Sequence, residues 1–186
     1  MDKLIFGIVG GLASGKTTLA EHLSETYHCN TYRYSTMLRD ILERIYVDQT
    51  RTNLQELSTF LRQQFGQDVM SKVIAHDVAN DDNDIVVVEG IRRPTDITYL
   101  RELPGFHLIF VDAEQRTRYE RIIEREENPD DAFKTFETFK QDEAAEADRL
   151  ISEIAAEAEY TLDNNGTRDN FFAQADAIIK KIGYGS

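Results

Sequence analysis

Apolar residues recur along the chain in two alternating patterns. Short apolar runs read as strands covered on both faces, and stretches where apolar positions return every three or four residues read as amphipathic helices. The runs are Leu4–Val9, a weaker Thr31–Tyr34, Ile85–Val88 with four consecutive β-branched residues, His107–Val111 and Tyr160–Leu162. Lys16–Tyr27 is helical, with Leu19, Ala20 and Leu23 on its inner face. Between the second and third runs, Ser35 to Asn80 is helical in pattern and too long for one plain crossover, so it reads as a helical insertion at about 35–80. Pro94 starts a short helix at Thr95–Arg101, Phe133–Ala158 reads as one long helix, and Phe171–Ile182 closes the chain. Strands that alternate with helices in this way predict an α/β fold with a five-stranded parallel sheet flanked by helices.

Composition narrows the class. At 186 residues the chain has the length of a single domain, 1–186. The net charge of −13 runs against a duplex nucleic-acid partner, which calls for a basic excess. One cysteine, Cys29, excludes an intrachain disulfide and a multi-cysteine metal site. No apolar run is long enough to span a membrane, and the apolar start MDKLIFGIVGG leads into a glycine motif rather than a small-residue cleavage site. These features set the expectation of a cytoplasmic protein with neither membrane nor nucleic-acid partners. Residues 127–163 hold 12 acids and 3 bases, which leaves only −4 on the rest of the chain. That stretch reads as a solvated face without chemistry.

The chemistry begins at Gly10-Gly11-Leu12-Ala13-Ser14-Gly15-Lys16-Thr17, a full match to G-x-x-x-x-G-K-[ST] set between a strand and a helix. Glycines let the backbone curl so that its N–H groups face a polyanion, and the helix N-terminus adds positive potential. Gly10 to Thr18 is therefore expected to cradle the phosphates of a nucleoside triphosphate. Lys16 reaches the β- and γ-phosphates, and the Thr17 hydroxyl ligates Mg²⁺. The pattern G-x-G-x-x-G of dinucleotide sites is absent.

Three clusters suit a second phosphate. The third strand runs into Glu89-Gly90-Ile91-Arg92-Arg93-Pro94. Glu89 is expected beside the cradle, holding Mg²⁺ or its water, with the forked guanidinium of Arg92 or Arg93 for an incoming phosphate. In Ser35-Thr36-Met37-Leu38-Arg39, Ser35 is placed to cap a helix and Arg39 to stand at the mouth of the insertion; Arg62 lies further along it. Arg118, Arg121 and Arg125 share one helix face ahead of a short loop. Glu114, Glu120, Glu124 and Glu126 nearby leave a salt-bridged surface helix as the other reading.

The chain resembles the nucleoside-monophosphate-kinase-like branch of P-loop kinases. Ser35–Arg39 is similar to the S-T-G-D-M-L-R of adenylate kinases without the G-D pair, Glu89–Arg93 to their D-G-F-P-R, and Arg121 with Arg125 to the R-x-x-x-R that starts their lid. The span Glu89 to Thr167 is closer to dephospho-CoA kinases and archaeal relatives, with Asn164-Asn165-Gly166-Thr167 resembling their N-D-G-[ST] turn. The resemblance implies that Arg39 and Arg92 or Arg93 hold the acceptor phosphate. It implies that Arg121 and Arg125 bridge the donor phosphates once a short lid at about 125–134 closes. Asn164, Gly166 and Thr167 would flank the donor base, or simply cap the last helix. A zinc cluster in the lid is missing, and so is the aspartate that dephospho-CoA kinases carry after the second strand.

The expected activity is Mg²⁺-dependent transfer of the γ-phosphoryl group of ATP to a small nucleotide-like acceptor, a (deoxy)nucleoside monophosphate first. A dephospho-CoA or nucleoside kinase with a hydroxyl acceptor, for which Glu89 is the obvious base, stays open. So do an ATP-binding regulator with slow hydrolysis and a structural partner protein.

Overall fold

The computed structural model describes residues 3–125, 135–145 and 148–183. Five strands form one parallel sheet: β1 (Leu4–Val9), β2 (Asn30–Arg33), β3 (Ile85–Glu89), β4 (Phe106–Asp112) and β5 (Tyr160–Asp163), in the order β2-β3-β1-β4-β5. β1 and β3 are buried along their whole length, as unbroken apolar runs in the middle of a parallel sheet must be. Gly7 stands opposite Val88, and Arg33 opposite Glu89. The eight helices described are α1 (Lys16–Tyr27), α2 (Tyr34–Arg44), α3 (Arg51–Phe65), α4 (Val69–Ala79), α5 (Gln115–Arg125), α6 (Phe136–Ala145), α7 (Asp148–Ala155) and α8 (Arg168–Ile182).

The chain divides into two compact units. The first comprises Met1–Gly7 and Leu23–His107, the second Ile8–His22 and Leu108–Ser186.

In the first unit, α2, α3 and α4 make up the expected insertion. Its anchor is Asp96, which is buried. One carboxylate oxygen accepts from Arg62 Nη2 at 2.8 Å, and the other accepts the backbone N–H of Arg92 and of Arg93 at 3.0 Å each. The Tyr34 hydroxyl donates to the Asp96 carbonyl. Arg62 is therefore a buried structural cation, not a ligand on the surface of the insertion. Two expectations of local structure change here. Tyr34 opens α2 instead of ending β2, so Ser35 lies within the helix and does not cap it. The helix expected at Thr95–Arg101 is two short 3₁₀ turns, Pro94–Ile97 and Leu100–Glu102. Asp96 turns back onto the N–H of Arg93, a capping box that fixes where the first turn begins.

A second polar node closes the far end of the same unit. Buried Asp81 accepts from Asn30 Nδ2, from Tyr32 Oη, and from the backbone and side-chain nitrogens of Asn83, all at 2.7 Å. Burial alone would raise its pKa, but these donors outweigh it and lower the pKa from 3.8 to about 2. A carboxylate whose folded pKa is depressed adds stability above its unfolded pKa and loses it as pH falls through the folded one. Asp81 should thus contribute about 2 kcal/mol near neutrality, lost between roughly pH 4 and pH 2. Urea unfolding of the wild type and Asp81→Asn checks this. Their stability difference should shrink by about that amount across the window, and a difference independent of pH would contradict it. Cys29 is also buried, and burial first of all pushes its thiol up to about 11, so it is no nucleophile near pH 7.

In the second unit, the long helix expected at Phe133–Ala158 is described as α6 and α7, with 146 and 147 outside the described residues. Thr135 caps α6, its hydroxyl accepting from Thr138 N at 3.1 Å. After α7 the backbone tightens, with Glu157 N on Ile154 O and Ala158 N on Ala155 O at 3.0 Å. Glu159 N then donates to Leu108 O at 3.0 Å, so pairing beside β4 ends the helix before Ala158. The acidic stretch is not all solvated face, because Glu143 is buried. The last helix starts three residues earlier than expected, at Arg168, with Thr167 as its cap accepting from Asn170 N at 3.3 Å.

Candidate functional site

The loop after β1 lies wholly within the second unit. Ala13 and Gly15 adopt left-handed backbone conformations, with φ of 57° and 106°. This local curl turns successive N–H groups toward one side, the geometry of an anion nest. Ser14 N donates to Gly11 O at 3.2 Å, and Leu19 N to Gly15 O at 2.9 Å as α1 begins. Gly15 is required twice over: by its φ, and because a Cβ there would run into Asn164 Nδ2.

Lys16 is not solvent-facing, as its charge alone would suggest. Its ammonium donates to Gly10 O at 2.8 Å and Gly11 O at 2.7 Å. These contacts hold the cation over the loop. Thr17, the next residue, is exposed at the start of α1, where a hydroxyl can reach a metal ion.

The α5 face expected from the arginine spacing exists. Arg121 Nη2 donates to Asn164 O at 2.7 Å, and Asn164 Nδ2, itself buried, donates to Ser14 O at 2.7 Å. A chain of contacts thus runs from α5 through the exit of β5 into the glycine loop. Arg121 Nη1 is buried without a hydrogen-bond partner among the described residues. Burial lowers the affinity of this guanidinium for its proton, and Glu124 partly offsets that. A buried donor left unpaired is costly unless an anion completes it. The Asn164 side chain is committed to the loop and Thr167 to capping α8, while Gly166 stands in the turn between them. Arg125 ends α5, and the lid expected at about 125–134 lies outside the described residues from 126 onward.

Sequence reasoning set Arg118 on this face but gave it no task. Its Nε donates to Ala113 O at 3.0 Å and its Nη1 to Leu12 O at 3.2 Å, and Nη1 is also ion-paired to Glu143. The guanidinium occupies the space a Cβ on Gly11 would need. Gln115 Nε2 supports the same carboxylate at 2.7 Å. The spacing of Arg118 three residues before Arg121 was the available signal. Nothing in the local sequence pairs it with a residue 25 positions away. Behind the loop, Gly11, Ser14, Asp112, Arg118, Ile151 and Ser152 line a hollow of about 150 Å³.

The remaining candidates belong to the first unit. Glu89 is buried at the end of β3 and ion-paired with Arg33, a residue the sequence reading passed over. Arg92 and Arg93 are exposed, their backbone held by Asp96. Arg39 is exposed on α2, with Nη1 at 3.3 Å from Gln49 Oε1. Among the described residues no cluster of His, Cys, Asp and Glu is placed to hold a metal by itself. No described helix is long and apolar enough to cross a membrane.

The family model described as "AAA domain" matches residues 9–140. A UPF0200 protein of Hyperthermus butylicus is 29% identical over 180 residues, covering 97% of this chain and 95% of the relative. Among solved structures, a shikimate kinase from Bacteroides thetaiotaomicron superposes with a TM-score of 0.64 at 13% identity, over 96% of this chain and 98% of that one. A gluconokinase from Sinorhizobium meliloti 1021 gives 0.58 at 14% identity, over 98% and 97%. These likenesses show the fold, a parallel five-stranded sheet of the P-loop kinase kind.

Proposed function

We propose, from the premise that this chain belongs to the AAA domain family and has the fold of P-loop kinases, that it transfers the γ-phosphoryl group of ATP to a nucleotide-like acceptor, first of all a (deoxy)nucleoside monophosphate. The observation that carries the reading is the buried, unpaired Arg121 Nη1, tied through Asn164 to a loop whose lysine is already held over it. A polyphosphate supplies the acceptor oxygens that this donor lacks.

In this mechanism the loop N–H groups from Gly10 to Thr18 bind the donor phosphates. Lys16 exchanges the carbonyls of Gly10 and Gly11 for β- and γ-phosphate oxygens. Arg121, joined by Arg125, gathers the charge that develops as the terminal group moves, and positioning with charge neutralisation lowers the barrier. Thr17 is the residue that would hold Mg²⁺, whose chemistry when bound is to neutralise the β- and γ-phosphates. Glu89, already paired with Arg33, fits a water of that ion better than the ion itself. Arg39, Arg92 and Arg93 are the acceptor ligands of this reading, and their exposure suits it. The single domain 1–186 and the lid at about 125–134 belong to the same proposal.

ADP release from ATP, measured across nucleoside monophosphates, nucleosides and dephospho-CoA, tests the activity. Stimulation by at least one acceptor is expected, with loss in chelator. ATP consumption that no acceptor accelerates would favour a regulator that hydrolyses slowly. Arg39→Ala and Arg92→Ala should weaken the acceptor by about tenfold while leaving ATP within about twofold. Calorimetric titration of each ligand separately reads this, and equal loss for both ligands would move the acceptor site elsewhere.

A further inference from the structure

We infer that Arg33 holds the acceptor's own phosphate, so that the acceptor is a phosphomonoester and not a free alcohol; this rests on the kinase reading above. Arg33 ends β2 directly opposite Glu89 at the end of β3. The Glu89 side chain is 5% exposed and that of Arg33 42%, so the carboxylate is enclosed while the guanidinium reaches outward. Arg33 Nε makes the ion pair. Among the described residues the two terminal nitrogens of Arg33 have no partner, which leaves the outer edge of the fork unused. That edge presents two parallel donors, the arrangement a phosphate accepts in bidentate fashion. Arg92 and Arg93 follow three and four residues after Glu89 in the same unit, exposed and with their backbone fixed by Asp96.

The same pair argues against an alcohol. A hydroxyl acceptor needs a carboxylate free to take its proton, and Glu89 is spent on Arg33. A phosphomonoester needs none, because its second ionisation lies near pH 6 and its oxygen is already an anion at neutrality. That oxygen forms the new bond to the γ-phosphorus as the bond to the β,γ-bridging oxygen breaks. ADP leaves with the bonding electron pair, and no proton has to be removed from the acceptor. Arg33 in this role fixes the acceptor phosphate and, through Nε, keeps Glu89 from acting as a base.

Calorimetric titration without ATP tests this with the 5′-monophosphates of adenosine, guanosine, cytidine and uridine, their parent nucleosides, ribose 5-phosphate and inorganic phosphate. ADP release is followed with the same set. The wild type should bind at least one phosphomonoester about tenfold or more above its dephosphorylated parent. Arg33→Gln should erase most of that margin and leave nucleoside affinity unchanged, and Arg33→Lys should restore only part of it. Arg33-dependent binding of ribose 5-phosphate or inorganic phosphate without any mononucleotide would support the contact and assign its source to a sugar phosphate or the free ion. Because Arg33→Gln takes the Arg33 ion pair from buried Glu89, the double variant Arg33→Gln/Glu89→Gln is titrated as well. It should fold and still bind the phosphomonoester weakly. A wild type that binds or phosphorylates a nucleoside as well as its monophosphate overturns the inference, as does Arg33→Gln with undiminished phosphomonoester affinity. ATP titrated alone separates the two readings. ATP binding with nucleoside turnover keeps the kinase and removes Arg33 from its role, whereas a wild type that binds no ATP removes both.

Discussion

Lys16→Ala should lower phosphoryl transfer by roughly 10²–10³-fold in a single-turnover assay with ATP and the preferred acceptor. The size follows from losing a charge-assisted contact that strengthens as charge builds on the departing ADP and the moving phosphoryl group. The structure adds a second effect. Lys16 donates to Gly10 O and Gly11 O, so its removal leaves two loop carbonyls without a cation and loosens the curl itself. ATP affinity should therefore fall along with turnover. Folding stability should drop by only about 1 kcal/mol, the ordinary net worth of such bonds near a surface. Calorimetry and thermal unfolding on the same preparation separate these effects. Unchanged turnover would remove the kinase reading altogether.

Gly15→Ala should be more damaging to the fold. An alanine at φ 106° is strained by about 1–3 kcal/mol wherever it stands. Here the added methyl also meets Asn164 Nδ2, whose amide donates to Ser14 O and accepts from Arg121 Nη2. Either the loop shifts or Asn164 gives up its bond to Ser14 O, a further loss of about 1 kcal/mol or more. The expected total is about 2–4 kcal/mol of unfolding free energy, with ATP binding reduced beyond detection by calorimetry. Pairing it with Asn164→Ala reads the collision directly. Removing the amide should recover part of the stability and little of the binding, since the φ strain remains. A Gly15→Ala protein with wild-type stability would mean that this backbone is not held as described.

What the sequence disclosed follows the range of the interactions involved. β1, α1 and the loop between them were legible to the residue, because strand burial, glycine conformation and the lysine position are all local. β3 and β4 were legible for the same reason and differ only at their ends. The insertion was visible as helix but not as three helices, since the Asp96 node that organises it joins Tyr34, Arg62 and Arg92 across long stretches of chain. Arg33 was missed, and Arg118 was seen on its helix face but without a role, on similar grounds. Each owes its place to a carboxylate distant in sequence, Glu89 for one and Glu143 for the other. Charge spacing along a helix reveals a shared face and says nothing about which face is covered. Asn164 was noticed as part of a turn, but its bond to Ser14 O, 150 positions away, could come only from the folded chain.

Glu143 marks a boundary for anyone re-engineering the surface of this protein. The stretch 127–163 invites neutralisation as a way to raise the isoelectric point or to adapt the chain to an anionic matrix, and its exposed acids are suited to that. Glu143 belongs to the same stretch yet behaves as an interior residue, enclosed with the guanidinium of Arg118 behind Leu12. Replacing it would take a charge partner from the half-buried Arg118 beside the glycine loop, a loss of about 1–3 kcal/mol. A charge library over α6 and α7 should therefore leave Glu143 in place, and a variant that loses it would look like a nucleotide-binding defect though no nucleotide ligand had been touched.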